Sequence, residues 1–131
     1  MIRVLAVDDE EEVVELIKLQ LESRGGFVVQ TETNASKALQ AAREFGPDII
    51  LLDIMMPGVD GSEVAATFKE DREFKSTPVF FLTALVTQQE TMNGQTGGTR
   101  TYFPKPIDWD GLVKSIQGVA RPASKGVVAK T

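Results

Sequence analysis

Short apolar runs bounded by turn residues alternate along this chain with segments whose apolar residues recur at helical spacing, and this alternation restricts the fold more than any other feature. A strand buried on both faces reads as a continuous apolar run, because helices cover the sheet above and below; a half-exposed antiparallel strand would alternate polar and apolar instead. The runs lie at residues 2–7, 27–32, 48–52, 78–82 and 101–103. Between them the spacing predicts helices. Val13, Leu16, Ile17 and Leu21 form the inner face of the first, Glu11, Glu12, Glu15, Lys18 and Glu22 fill the outer face, and Gly25-Gly26 stop it. The second runs from an Asn34 cap through Ala35, Ala38, Leu39, Ala42 and Phe45 to the breaker pair Gly46-Pro47. The third covers about Ser62 to Asp71, with Val64, Ala65 and Phe68 inward, and the last carries Trp109, Leu112, Val113 and Ile116 behind an Asp108 cap. A fourth, between Thr87 and Thr99, is short or weak: it holds Gly94, Gly97 and Gly98, each costing roughly 1 kcal/mol relative to alanine, and Met92 is its one sizeable apolar anchor. Five strands and five helices in this order make an α/β domain with a parallel sheet covered on both faces. The domain is expected over residues 1–119, and residues 120–131, with Arg121, Lys125 and Lys130 and no acid, as a basic flexible tail.

Composition excludes whole classes of chemistry. The 131 residues suffice for one self-supporting core and leave no room for a second. Cysteine and histidine are both absent, which removes disulfides, thiolate nucleophiles, histidine-based catalytic pairs and the usual zinc ligands. What remains is carboxylates, hydroxyls, lysines and the backbone. A net charge of −5 argues against nonspecific affinity for nucleic acid or an anionic membrane, and no apolar run approaches a bilayer span. The expectation is a cytoplasmic protein with protein partners.

Ligands of open α/β sheets bind beyond the carboxyl ends of the strands, so the residues following each run matter most. Here they are Asp8-Asp9, Asp53, Thr83-Ala84 and Lys105-Pro106. With a strand order of 2-1-3-4-5, strands one and three are neighbours and three carboxylates converge. Like charges so close are unstable without a hard cation, and Mg²⁺ favours oxygen ligands. A carboxylate beside Mg²⁺ is a competent nucleophile toward a phosphoryl group, with Thr83 offering a hydroxyl donor and Lys105 a point charge to its oxygens. Taken singly, Asp8, Asp9 and Thr83 read as helix caps, Lys105 as a solvated lysine and Tyr102 as a strand aromatic; Asp53, behind four apolar residues, is the hardest to dismiss.

Four motifs in order, Ala6-Val7-Asp8-Asp9, Leu51-Leu52-Asp53-Ile54-Met55-Met56-Pro57-Gly58-Val59-Asp60-Gly61, Leu82-Thr83-Ala84 and Tyr102-Phe103-Pro104-Lys105-Pro106, make residues 2 to about 119 resemble a response-regulator receiver domain of two-component signalling. The resemblance implies the flavodoxin-like (CheY-like) doubly wound sheet, Asp53 as phosphoacceptor, and Mg²⁺ held by Asp9 and Asp53 with the backbone carbonyl of Met55, Asp8 acting through water. It further implies Thr83 and Lys105 on the phosphoryl group, a cis Lys105-Pro106 bond, and a switch in which Thr83 moves and Tyr102 turns to remodel a protein-binding surface. The expected partners are a histidine kinase or histidine phosphotransfer protein and a downstream target protein. No turnover of external substrates is implied, only self-directed phosphoryl transfer and autodephosphorylation. The chain departs from the family at Gly98-Thr99-Arg100-Thr101 and at Ile107, beside the expected output surface, while the apolar Met55 and Leu85 point to a long-lived phosphoprotein. Other classes fit less well. A haloacid-dehalogenase-type enzyme needs an aspartate where Met55 stands, and a flavin module would meet a ring of aspartates; a docking module on the same fold that works without phosphorylation makes no use of the acidic residues, but the unusual fourth helix keeps it as the alternative.

Overall fold

The computed structural model of the chain describes residues 1–83 and 100–120. Five strands, β1 (Ile2–Val7), β2 (Phe27–Glu32), β3 (Ile49–Asp53), β6 (Val79–Thr83) and β7 (Arg100–Pro104), form one parallel sheet in the order β2-β1-β3-β6-β7, the predicted topology. Two-residue strands β4 (Met55–Met56) and β5 (Val59–Asp60) add a small antiparallel hairpin that the sequence pattern did not announce. Its turn is Pro57-Gly58, with Gly58 at φ 71°, a left-handed conformation that glycine adopts at no steric cost.

Helices α1 (Glu11–Ser23) and α4 (Trp109–Val119) cover one face of the sheet; α2 (Ala38–Phe45) and α3 (Gly61–Glu70) cover the other. Because side chains alternate along each strand, Val4, Ala6, Ile49, Leu51, Phe80 and Leu82 join the first core and Leu5, Val7, Ile50, Leu52, Val79 and Phe81 the second. Most are wholly buried, and full burial of such a side chain contributes about 1.5–3 kcal/mol.

Asn34 and Asp108 act as the predicted caps, and Asp60 adds one that the sequence pattern did not announce. Asn34 accepts from Ser36 N–H and opens a 3₁₀ turn (Ala35–Lys37) ahead of α2, Asp60 accepts from Ser62 N–H ahead of α3, and Asp108 from Gly111 N–H ahead of α4. The inner face of α1 differs from the expectation. Val14, Ile17 and Leu21 are buried, Val13 is only half-buried, and Leu16 is 46% exposed. The adjacent pair Val13-Val14 supports either stripe, and the three–four spacing from Val14 to Ile17 to Leu21 keeps its members on one side of the helix, whereas Leu16 leaves it. The expected helix at 87–99 and residues 121–131 of the expected tail lie outside the described residues. Ala120, placed at the start of that tail, is buried in the first core and continues the hydrogen bonding of α4 through Ile116.

Candidate functional site

The carboxyl ends of β1, β3 and β7 carry the residues that the sequence singled out. β1 delivers Asp8 immediately after Val7; β3 ends on Asp53 itself, still paired in register with Leu82; β7 ends at Pro104, one residue before Lys105. Adjacent strands β1 and β3 bring one carboxylate oxygen each from Asp8, Asp9 and Asp53 within 4.8 Å of one another. Asp8 is fully buried and Asp53 only 4% exposed, while Asp9 stands at the solvent side.

These buried carboxylates survive because each is partnered. Asp8 accepts from Glu10 N–H at 3.0 Å through one oxygen and from Lys105 Nζ at 2.9 Å through the other. Asp53 accepts from Met55 N–H at 3.1 Å, and Lys105 Nζ lies 3.7 Å from its second oxygen. Neither Asp8 nor Asp9 is the side-chain cap of α1: the cap residue is Glu10, which makes no such bond, and Asp8 instead closes a tight local turn onto the Glu10 backbone. The Lys105-Pro106 peptide is cis, as the resemblance implies.

Burial pushes the Asp53 carboxyl up to about 6, against the Met55 N–H bond that favours its charge; the Asp8 charge adds to the rise and Lys105 reduces it. For Lys105, burial works against the ammonium, but the bond and charge of Asp8, then the charges of Asp53 and Glu10, lift it above its ordinary value. Glu10 thus belongs to the site's field, although nothing in the sequence sets it apart within the run of five consecutive acids from Asp8 to Glu12.

Gly61 holds the loop after Asp53 in place. Its N–H donates to the Ile54 carbonyl at 3.1 Å, and a Cβ there would stand 2.6 Å from both the Asp53 carbonyl oxygen and the Ile54 Cα. No side chain fits, so the start of α3 seats directly on the backbone that carries Asp53. Tyr102 is half-buried on the second face, its ring stacked on Phe81 with centroids 5.1 Å apart and planes 19° from parallel. Thr83 closes β6, one strand over from Asp53. The backbone of Met55 is tied to Asp53 and its side chain is exposed.

Three oxygen donors of hard character, clustered and facing solvent through Asp9, match the ligand chemistry of Mg²⁺. A buried acid at the end of a parallel strand, two companion acids and a lysine give this doubly wound domain an acidic site at the carboxyl ends of its strands. The family profile of the response regulator receiver domain matches residues 4–117, and the chain belongs to that family: it is a receiver domain of two-component signalling. It is 33% identical to Protein PilH of Pseudomonas aeruginosa over 91% of this chain and 98% of that protein. With the transcriptional regulatory protein TrcR of Mycobacterium tuberculosis it shares 36% identity over 94% of its length, but spans 47% of that protein; for ResD of Bacillus subtilis, at 35% identity, it spans 50%. The chemotaxis protein CheY4 of Vibrio cholerae superposes with a TM-score of 0.77 at 28% identity, covering 91% of this chain and 98% of that one. Among the described residues no helix is long and apolar enough to cross a membrane.

Proposed function

We propose that the chain accepts a phosphoryl group on Asp53 and passes the signal to a protein partner. The observation that carries this reading is the grouping of Asp8, Asp9 and Asp53 within 4.8 Å, with Lys105 Nζ 2.9 Å from Asp8 and 3.7 Å from Asp53. Asp8, Asp9, Asp53 and the backbone carbonyl of Met55 are the residues that would hold Mg²⁺, which when bound screens the charge between the carboxylates and an incoming phosphoryl group. An Asp53 carboxylate oxygen attacks phosphorus in line, the bond from phosphorus to the donor's imidazole nitrogen breaks, and the imidazole leaves and takes up a proton. The histidine belongs to a kinase or phosphotransfer protein, since this sequence has none. Lys105 offsets negative charge on the phosphoryl oxygens, and Thr83 supplies a hydroxyl donor to them. Burial raises the Asp53 pKa, and Lys105, 3.7 Å away, opposes that rise and favours the nucleophilic, ionised form.

Output is read through the surface around Tyr102. Its ring is half-buried against Phe81, a position from which turning costs one stacked contact of about 0.5–1.5 kcal/mol. Movement of Thr83 toward the phosphoryl group is the event that biases this two-state element.

Intact-protein mass spectrometry after incubation with acetyl phosphate tests the proposal. One phosphoryl adduct is expected with Mg²⁺, none with EDTA, and none for Asp53→Asn under either condition. An adduct that persists in Asp53→Asn would reassign the acceptor, and wild-type protein that never gains one from a phosphodonor or a kinase would favour docking without phosphorylation.

A further inference from the structure

β2 is an edge of the sheet. On its inner side Ile2 N–H reaches the Gly26 carbonyl and Asp8 N–H the Glu32 carbonyl, so the even-numbered residues turn their backbone groups to β1 and Phe27, Val29 and Thr31 turn theirs outward. An outward row of N–H and C=O groups is a template for a further strand. The sequence sharpens the hazard: Phe27-Val28-Val29-Gln30-Thr31 carries no charge and includes three β-branched residues.

The centre of this edge is covered by α1. Glu22 accepts from Val29 N–H at 2.9 Å, Lys18 Nζ donates to the Val29 carbonyl at 3.0 Å, and the two side chains bind each other at 3.1 Å. The N–H bond from Val29 is also the main reason that the Glu22 carboxyl sits below its ordinary value. An i,i+4 ion pair on a helix surface is worth only about 0.3–0.5 kcal/mol by itself. Here the pair additionally meets the donor and the acceptor of one edge residue, the two bonds that a residue on a neighbouring strand would make.

We propose that Lys18 and Glu22 form an intramolecular cap that holds the β2 edge closed, and that what the cap excludes is the β2 edge of a second copy of this chain. The register is self-complementary. In an antiparallel pairing about a two-fold axis, Val29 exchanges both its bonds with Val29 of the second copy, and Phe27 and Thr31 exchange theirs with Thr31 and Phe27. All three outward-facing residues then fall at hydrogen-bonded positions, and the one charged residue of β2, Glu32, lies beyond the paired stretch.

The double variant Lys18→Ala/Glu22→Ala tests the cap. Both positions lie outside the phosphoryl site and alanine favours the helix, so circular dichroism and phosphoryl uptake should match wild type. Sedimentation over a concentration series should show an average mass rising toward about twice that of wild type at equal concentration. Adding Thr31→Pro, which deletes one outward N–H at an edge position that tolerates proline, should return the wild-type mass. A folded double variant that sediments as wild type at every concentration overturns the proposal, as does an increase that Thr31→Pro leaves in place. Should the double variant not fold, Lys18→Met/Glu22→Met, which frees both the N–H and the carbonyl of Val29 and keeps both stems over the strand, is read by the same criteria.

Discussion

Replacing Asp53 by asparagine should stabilise the metal-free protein, and the gain should depend on pH in a defined direction. The carboxyl is held at about 6 in the folded chain, chiefly by burial, against an ordinary value of 3.8. Between those values the folded state binds more protons than the unfolded state, so stability falls as pH rises through 4 to 6. Above about pH 7 the full cost of ionising Asp53 is present, at most about 3 kcal/mol. Asparagine removes that charge yet keeps an oxygen to accept from Met55 N–H, now at 3.1 Å, while giving up the attraction of Lys105 at 3.7 Å, which is already included in the net shift. Urea unfolding in EDTA should therefore place Asp53→Asn about 2–3 kcal/mol above wild type at pH 7.5, with the difference shrinking toward zero near pH 4. Equal stabilities at pH 7.5, or a difference that does not change with pH, would refute the reasoning.

Lys105→Met should cost about 2–3 kcal/mol at pH 7.5 without metal, because it strands the fully buried Asp8 beside Asp53; unchanged urea midpoints would mean that solvent already compensates Asp8. Gly61→Ala forces a Cβ onto the backbone of Asp53 and Ile54, neither of which can yield as a side chain would, so a loss of about 1–3 kcal/mol and slower phosphoryl uptake are expected; wild-type values for both would remove Gly61 from the site's support. Leu21→Ala should cost about 2–5 kcal/mol and Leu16→Ala within about 0.5 kcal/mol, and similar losses for the two would contradict the inner face assigned to α1.

Strand order and layering were legible because a parallel sheet leaves a simple trace: continuous apolar runs, each followed by a helix that must return over the sheet. Cap residues were legible for the same kind of reason, since Asn34 and Asp108 carry their oxygen to the helix start within one turn. The hairpin of β4 and β5 left no trace, as two-residue strands are too short to show a period. The inner face of α1 was misread at Leu16 because Val13 and Val14 are both apolar and hydrophobicity alone cannot choose between adjacent positions.

At the site, the strand-end rule located Asp8, Asp9, Asp53 and Lys105, and the topology brought them together. What the sequence could not show was the partition of roles within the cluster. Lys105 binds Asp8 more closely than Asp53, Asp8 rather than Asp9 is buried, and the backbone of Glu10 completes the Asp8 shell. These follow from the path of the loops after β1 and β7, where one residue's difference in direction decides which carboxylate meets water.

The most direct test of Asp53 as acceptor is chemical mapping of the phosphorylated residue. Protein treated with acetyl phosphate and Mg²⁺ is reduced with borohydride, which converts an aspartyl phosphate to homoserine, and then digested and sequenced by mass spectrometry. Homoserine in place of Asp53, and at neither Asp8 nor Asp9, is the predicted result. Homoserine at Asp8 or Asp9, or a phosphoryl group that survives borohydride on a hydroxyl side chain, would contradict it.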